Sequence, residues 1–182
     1  MQNRSTNHVL FTPALSSKKH VETDYDIGEV MRTPAPSPRH QWTVQNILCQ
    51  LRTQTEHEFL YLQAPCDLII SNRKIHKPDL MIIQKERRHI IEEHAVTSPP
   101  DIIIEVLSKS SIPLDRRIKM RDYAQFGVHE YWIVDPYEQC IEQYVRTSDT
   151  YVCKQTVQEQ HITSAQFDQL SCQLSHIFPI DS

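Results

Sequence analysis

Glycine is almost missing from this chain, with only two in 182 residues. That excludes the glycine-rich loops that cradle phosphates: there is no P-loop and no dinucleotide fingerprint. Cysteine is present but badly arranged for metal or disulfide chemistry. Cys49, Cys66, Cys140, Cys153 and Cys172 are odd in number and widely spaced, without a C-x-x-C pair. Reduced thiols fit this pattern better than a zinc site or a disulfide set. No apolar run is long enough to span a bilayer, and the first residues are polar rather than signal-like. No membrane partner is therefore expected, and the location expected is cytoplasmic. The net charge of −4 does not suggest a nucleic-acid coat protein. A local basic patch beside a metal site would still suffice for a nuclease.

What is present is the composition of a globular protein, 39% hydrophobic and 23% charged, enough to bury a substantial core. Residues 1–20 are polar and without periodicity, and read as a flexible arm. Residues 21–182 read as a single domain without internal repeats.

The most informative stretch runs from Pro100 to Pro136. Ile102, Ile103 and Ile104, then Val106 and Leu107, are apolar at both odd and even positions, as in a strand buried on both faces. Glu105 sits inside that run. An unpaired carboxylate there would cost several kcal/mol, so Glu105 requires a hydrogen-bond donor, a cation or a metal. SKSSIP makes a turn, and LDRRIKMRDYAQFG predicts a helix with Gly127 just past its end. Asp115, Lys119, Tyr123 and Phe126 share one stripe of that helix. EYWIVDP predicts another strand. Strand, helix and strand with short connections imply two parallel strands and a crossover helix.

Upstream, Tyr25 to Met31 reads as a strand or hairpin turning at Gly28. Pro34, Pro36 and Pro38 force an extended connector. A helix from about Arg39 to Glu56 buries Val44, Ile47, Leu48 and Leu51. Phe59 to Ile70 is β-like and interrupted at Pro65. Ile75 to Gln84 predicts one strand, followed by a long excursion through KERRHIIEEHAVTS. Cys140 to Val145 and Tyr151 to Val157 predict a hairpin turning at Ser148-Asp149, and an amphipathic segment follows.

Asp79 opens the apolar LMII run. If that strand lies beside the Glu105 strand, the two carboxylates converge, and both stay ionised only with a cation between them. Oxygen-only ligands suit Mg²⁺ or Mn²⁺. A nearby lysine would then position a water for attack on phosphorus. Each residue also fits a plainer role: Asp79 as a strand-start cap, Glu105 in a structural pair, Lys119 as the partner of Asp115 on a solvated helix face. His89, Glu92, Glu93 and His94 lack the H-E-x-x-H spacing of a metal helix and read as a charged excursion. Arg116, Arg117 and Arg121, beside the candidate site, are candidates for contact with a phosphate backbone, and the basic run from Lys85 to Arg88 is a weaker one.

PDIIIEVLSKSS, then D-x-x-x-K-x-x-x-Y at Asp115, Lys119 and Tyr123, then GVHEYWIVDP, resemble the Uma-two family of bacterial endonucleases. The resemblance extends to GEVMRTPAPSPRH and KPDLMII, and covers about residues 25–178. The family falls in the PD-(D/E)XK superfamily. The resemblance implies an α/β, restriction-endonuclease-like core: a mixed β-sheet flanked by helices, here with an added terminal β-hairpin. It also implies divalent-metal-dependent hydrolysis of phosphodiester bonds, with Mg²⁺ or Mn²⁺ as cofactor and nucleic acid, DNA first, as partner. On this resemblance Asp79 and Glu105 are the metal-binding acids. Leu107 stands where the superfamily lysine would be, so the role passes to Lys119 on the helix, with Lys109 as runner-up. Glu29 and His40 match positions near the site and would assist the metal or the water. A surface carboxylate and a helix-start histidine are their plain alternatives. A homodimer would suit an enzyme that cuts both strands. The displaced lysine keeps open a second reading, a non-catalytic nucleic-acid-binding or interaction module on the same fold.

Overall fold

The computed structural model describes residues 22–26, 29–33, 35–109 and 111–178, the first two stretches by their backbone alone. The arm expected at 1–20 lies outside the described residues. The described chain opens with β1 (Glu22–Asp26) and β2 (Glu29–Thr33), then enters α1 (Pro38–Thr55). Strands β3 (Phe59–Gln63), β4 (Asp67–Ser71), β5 (Lys74–His76) and β6 (Leu80–Gln84) follow at short intervals. A 3-10 turn at Lys85–Ile90 and the short β7 (Ala95–Val96) lead into β8 (Ile102–Val106). The next helix begins as a π segment, Leu114–Lys119, and continues as α2 (Met120–Phe126). After β9 (Glu130–Asp135) come the hairpin β10 (Cys140–Thr147) and β11 (Thr150–Val157), and the pair β12 (His161–Thr163) and β13 (Ser171–Gln173).

Among the described residues, the strands form a six-stranded sheet, β11-β10-β9-β8-β6-β3, a five-stranded sheet, β2-β1-β5-β4-β7, and the β12-β13 pair. In the six-stranded sheet β8 and β9 are parallel, as a helical crossover requires, and the other neighbours are antiparallel. The architecture is mixed α/β, with the expected hairpin continuing the large sheet at its edge. No helix among the described residues is long and apolar enough to cross a membrane.

Strand alternation divides the core in two. Leu80, Ile82, Ile102, Ile104, Val106, Trp132 and Val134 pack with Val44, Ile47 and Leu51 of α1. Met81, Ile83, Ile103, Leu107, Tyr131 and Ile133 pack on the opposite side with Tyr123 of α2 and with Leu68 and Val96 of the smaller sheet. Being covered on both faces explains why β8 is buried throughout. Glu105 shares the parity of Ile103 and Leu107, which turns it towards the α2 side.

Two expectations need correction. Ile75–Gln84, expected as a single strand, is divided into β5 and β6, which belong to different sheets. Pro78 lacks the N–H that a continuous ladder would need, and Lys77-Pro78-Asp79 carries the chain between sheets. The predicted regular helix after Glu105 instead opens with the wider π segment, in which backbone N–H groups reach five residues back. The Tyr25–Met31 hairpin is present as β1 and β2, closing at the Asp26–Glu29 pair, while its turn residues 27 and 28 lie outside the described residues.

Gly127 ends α2 in a left-handed conformation, φ 107°, and a Cβ there would stand 3.3 Å from Pro99 Cγ. Gly127→Ala is expected to destabilise the fold by about 1–2 kcal/mol, measured by urea denaturation. An unchanged midpoint would show that the turn relaxes without strain.

Candidate active site

The pairing of β6 with β8 sets Leu80 against Ile104, which places Asp79 beside Glu105. One Asp79 carboxylate oxygen accepts from the Val106 N–H at 2.7 Å, and the Asp79 N–H reaches Glu105 Oε2 at a long 3.4 Å. The other oxygen lies 3.1 Å from His40 Nε2. His40 is held in the first turn of α1, where its N–H donates to the capping Ser37 Oγ at 3.2 Å.

The helix supplies the other half of the site. Lys119 Nζ donates to Glu105 Oε1 at 3.0 Å, and Tyr123 Oη donates to the same oxygen at 2.7 Å. Lys119 Nζ also stands 3.2 Å from Asp115 Oδ1. Lys119 is 5% exposed and Asp115 1%, so this ion pair is not on a solvated helix face. Leu107, at the usual lysine position, is buried in the apolar cluster.

Glu105 and Asp115 therefore share a single ammonium, and Asp79, paired with His40, adjoins Glu105. Burial pushes the Glu105 carboxyl well above its ordinary range, Lys119 opposes the shift, and Asp115 and Asp79 add to it. Burial likewise raises Asp115, again against the pull of Lys119. A buried acid with a raised pKa takes up protons in the folded state first, so these two groups favour folding less as pH rises through their folded pKa values. The metal-free protein is expected to lose stability from this source as pH rises above the ordinary carboxylate values of 4.5 for Glu105 and 3.8 for Asp115. Glu105→Gln should flatten that slope in thermal melts. An unaltered slope would place the shifted titration elsewhere.

The other candidates are distributed as follows. Glu29 lies in β2 by its backbone, and its side chain falls outside what is described. Arg116 is forked onto Glu142, with Nη1–Oε2 2.8 Å and Nη2–Oε1 2.5 Å. Arg121 pairs with Asp122 at 3.2 Å, and Arg117 is exposed. Two of the three helix arginines thus already have acid partners. Lys109 is exposed, and its Nζ lies over the Tyr137 ring, away from Glu105. His89, Glu92, Glu93 and His94 are exposed, as expected of a charged excursion.

Sequence reasoning missed a buried network behind the site. Asp122 accepts from Lys74 Nζ and His76 Nε2, each at 2.9 Å, and the His76 ring meets the Tyr123 ring edge-on at 5.5 Å. Burial alone would raise the Asp122 carboxyl, but these hydrogen bonds outweigh it and hold the pKa at about 2. In the sequence Asp122 lies between Arg121 and Tyr123, where it reads as an ordinary helix-surface acid. Only the contact with β5 reveals it.

The family model described as "Putative restriction endonuclease", Uma2, matches residues 13–175. The chain belongs to the Uma2 family. A solved structure with the same fold is a putative nuclease of the DUF820 group from Anabaena variabilis. It is 16% identical, with a TM-score of 0.68 over 86% of this chain and 89% of that one. No curated protein matches the chain. Family and fold are therefore those described for nucleases. In this Uma2 member Asp79 stands just before β6, Glu105 lies within β8 and Lys119 on the helix that follows.

Proposed function

We propose that this protein is a divalent-metal-dependent endonuclease that hydrolyses phosphodiester bonds in DNA. The observation that carries the reading is the half-buried Asp79 set beside the buried Glu105, whose partner Lys119 also meets the buried Asp115, so that the acids gathered there outnumber the ammonium. Such a cluster is costly as pure structure and suited to a dication.

The donor set fits Mg²⁺ or Mn²⁺. Among the described residues, no three His, Cys, Asp or Glu groups form a ready cage. Mg²⁺ binds through one or two carboxylates and keeps several waters, so Asp79 and Glu105 are sufficient. When bound, the ion supplies Lewis-acid stabilisation of phosphoryl charge and a more acidic water. The chain's own residues then have separate tasks. Asp79 and Glu105 hold the metal. Lys119, whose Nζ already sits 3.0 Å from Glu105 Oε1, holds the attacking water by hydrogen bonding. Tyr123 fixes the Glu105 carboxylate from the helix side. His40 fixes Asp79 from the start of α1.

A supercoiled-plasmid nicking assay with Mg²⁺ and with Mn²⁺ tests the reading. Nicking by wild type should vanish with EDTA and in Asp79→Ala and Glu105→Gln. A wild type inert with both metals, whose melting temperature neither metal raises, would refute it.

A further inference from the structure

Besides the helix arginines, two further cations, Arg39 and Lys109, belong to segments that also carry residues of this site. Arg39 immediately precedes His40, the partner of Asp79. Its Cζ lies 5.7 Å from the centroid of the Tyr137 ring, and its Nη1 donates to the Pro136 carbonyl at 3.3 Å. Lys109 follows Glu105 by four residues, and its Nζ lies 5.5 Å from the same centroid. Parallel pairing brings these residues together: Val106 is opposite Val134, and the Leu107 N–H donates to the Val134 carbonyl at 2.8 Å. The carboxyl ends of β8 and β9 thus leave the sheet side by side, one leading to Lys109 and the other to Tyr137.

Tyr137 is held firmly yet remains open. Asp135 Oδ1 accepts from the Tyr137 and Glu138 N–H groups at 2.9 and 3.0 Å, while the Tyr137 residue is 46% exposed. Trp42, 55% exposed, stands one helical turn beyond Arg39 on α1. An exposed ring flanked by the part-buried Arg39 and the exposed Lys109 is poor core material, since the ring and the lysine stay in water. It has the composition of a surface that grips single strands, where cations take phosphates and rings take bases.

We propose that Arg39, Lys109 and Tyr137 form a lip that holds the nucleic-acid strand flanking the scissile phosphate. The two cations take backbone phosphates, and the tyrosine ring stacks an unpaired base. This deepens the nuclease reading and rests on it. The ring keeps both cations gathered before the strand arrives. An incoming base replaces one of them on the ring face, and the displaced cation turns to the adjoining phosphate. The lip makes strands with unpaired nucleotides the preferred substrate class.

Fluorescence anisotropy of the full chain in EDTA, with a labelled single strand and a duplex of the same sequence, tests the lip. Tyr137→Ala should weaken single-strand binding about tenfold and duplex binding less, and Tyr137→Phe should restore it. Lys109→Gln should reduce the slope of log affinity against log salt by about 0.7 on the single strand. A wild type that binds neither nucleic acid overturns the lip and leaves the nuclease reading to the nicking assay. A wild type that binds, matched in affinity and salt slope by all three variants, overturns the lip alone. Equal loss on single strand and duplex in Tyr137→Ala overturns the stacking contact.

Discussion

Lys119→Ala is expected to lower metal-dependent nicking by about 10²- to 10⁴-fold while leaving metal binding in place. The separation follows from where the groups stand. The acids proposed to hold the metal, Asp79 and Glu105, are positioned by β6 and β8, and their alignment rests on the backbone register and the Val106 N–H. Lys119 enters from the helix and touches only part of that arrangement, at Glu105 Oε1 and Asp115 Oδ1. Its removal also deletes the ammonium shared by Glu105 and Asp115, so a dication should be held at least as well as before. The expected pattern is thus lost turnover with a retained or larger rise in melting temperature on adding Mn²⁺. Glu105→Gln should lose both. If Lys119→Ala nicks like wild type, the lysine is not the water-holding group, and Lys109→Gln becomes the next variant to assay.

Asp122→Asn should cost about 3–5 kcal/mol, lowering the melting temperature by on the order of 10 °C. The carboxylate is buried and joins β5 to α2 through Lys74 and His76. Substitution leaves the buried His76 and the half-buried Lys74 facing a neutral amide, which is the costly way to break such a pair. The pH sign is opposite to that of Glu105. A depressed folded pKa stabilises above the unfolded value of 3.8 and loses that stabilisation as pH falls towards about 2. Acid titration of wild type and Asp122→Asn should therefore converge at low pH. A loss below about 1 kcal/mol at neutral pH would mean that Lys74 and His76 find other partners without difficulty.

Local pattern made much of this legible in the sequence. Glu105 inside an all-apolar run marked β8, and Ser37-Pro38 marked the start of α1. The order of strand, helix and strand implied the parallel pair. These features depend on neighbours within a few residues. Where the reading failed, contacts distant in sequence decided the outcome. The division of Ile75–Gln84 reflects a change of sheet, which periodicity along one strand does not encode. The π segment places Asp115 and Lys119 against Glu105, and nothing in LDRRIK distinguishes it from an ordinary turn. Asp122 is 46 residues from His76, and Tyr137 gains Arg39 only because β9 ends beside α1. The convergence of Asp79 and Glu105 was legible as a condition on their strands pairing, and the resemblance to a nuclease family assigned the roles. The geometry sets Glu105 between Asp79 and Lys119.

Housing the lysine on a helix rather than on the Glu105 strand gives the site two independent supports. The strand is fixed by its neighbours in the sheet, whereas α2 is fixed separately, by packing on both sheets and by the Asp122 pairs to β5. On the proposed function, substitutions around α2 would retune turnover, and divergence within the family would register there before it altered metal preference.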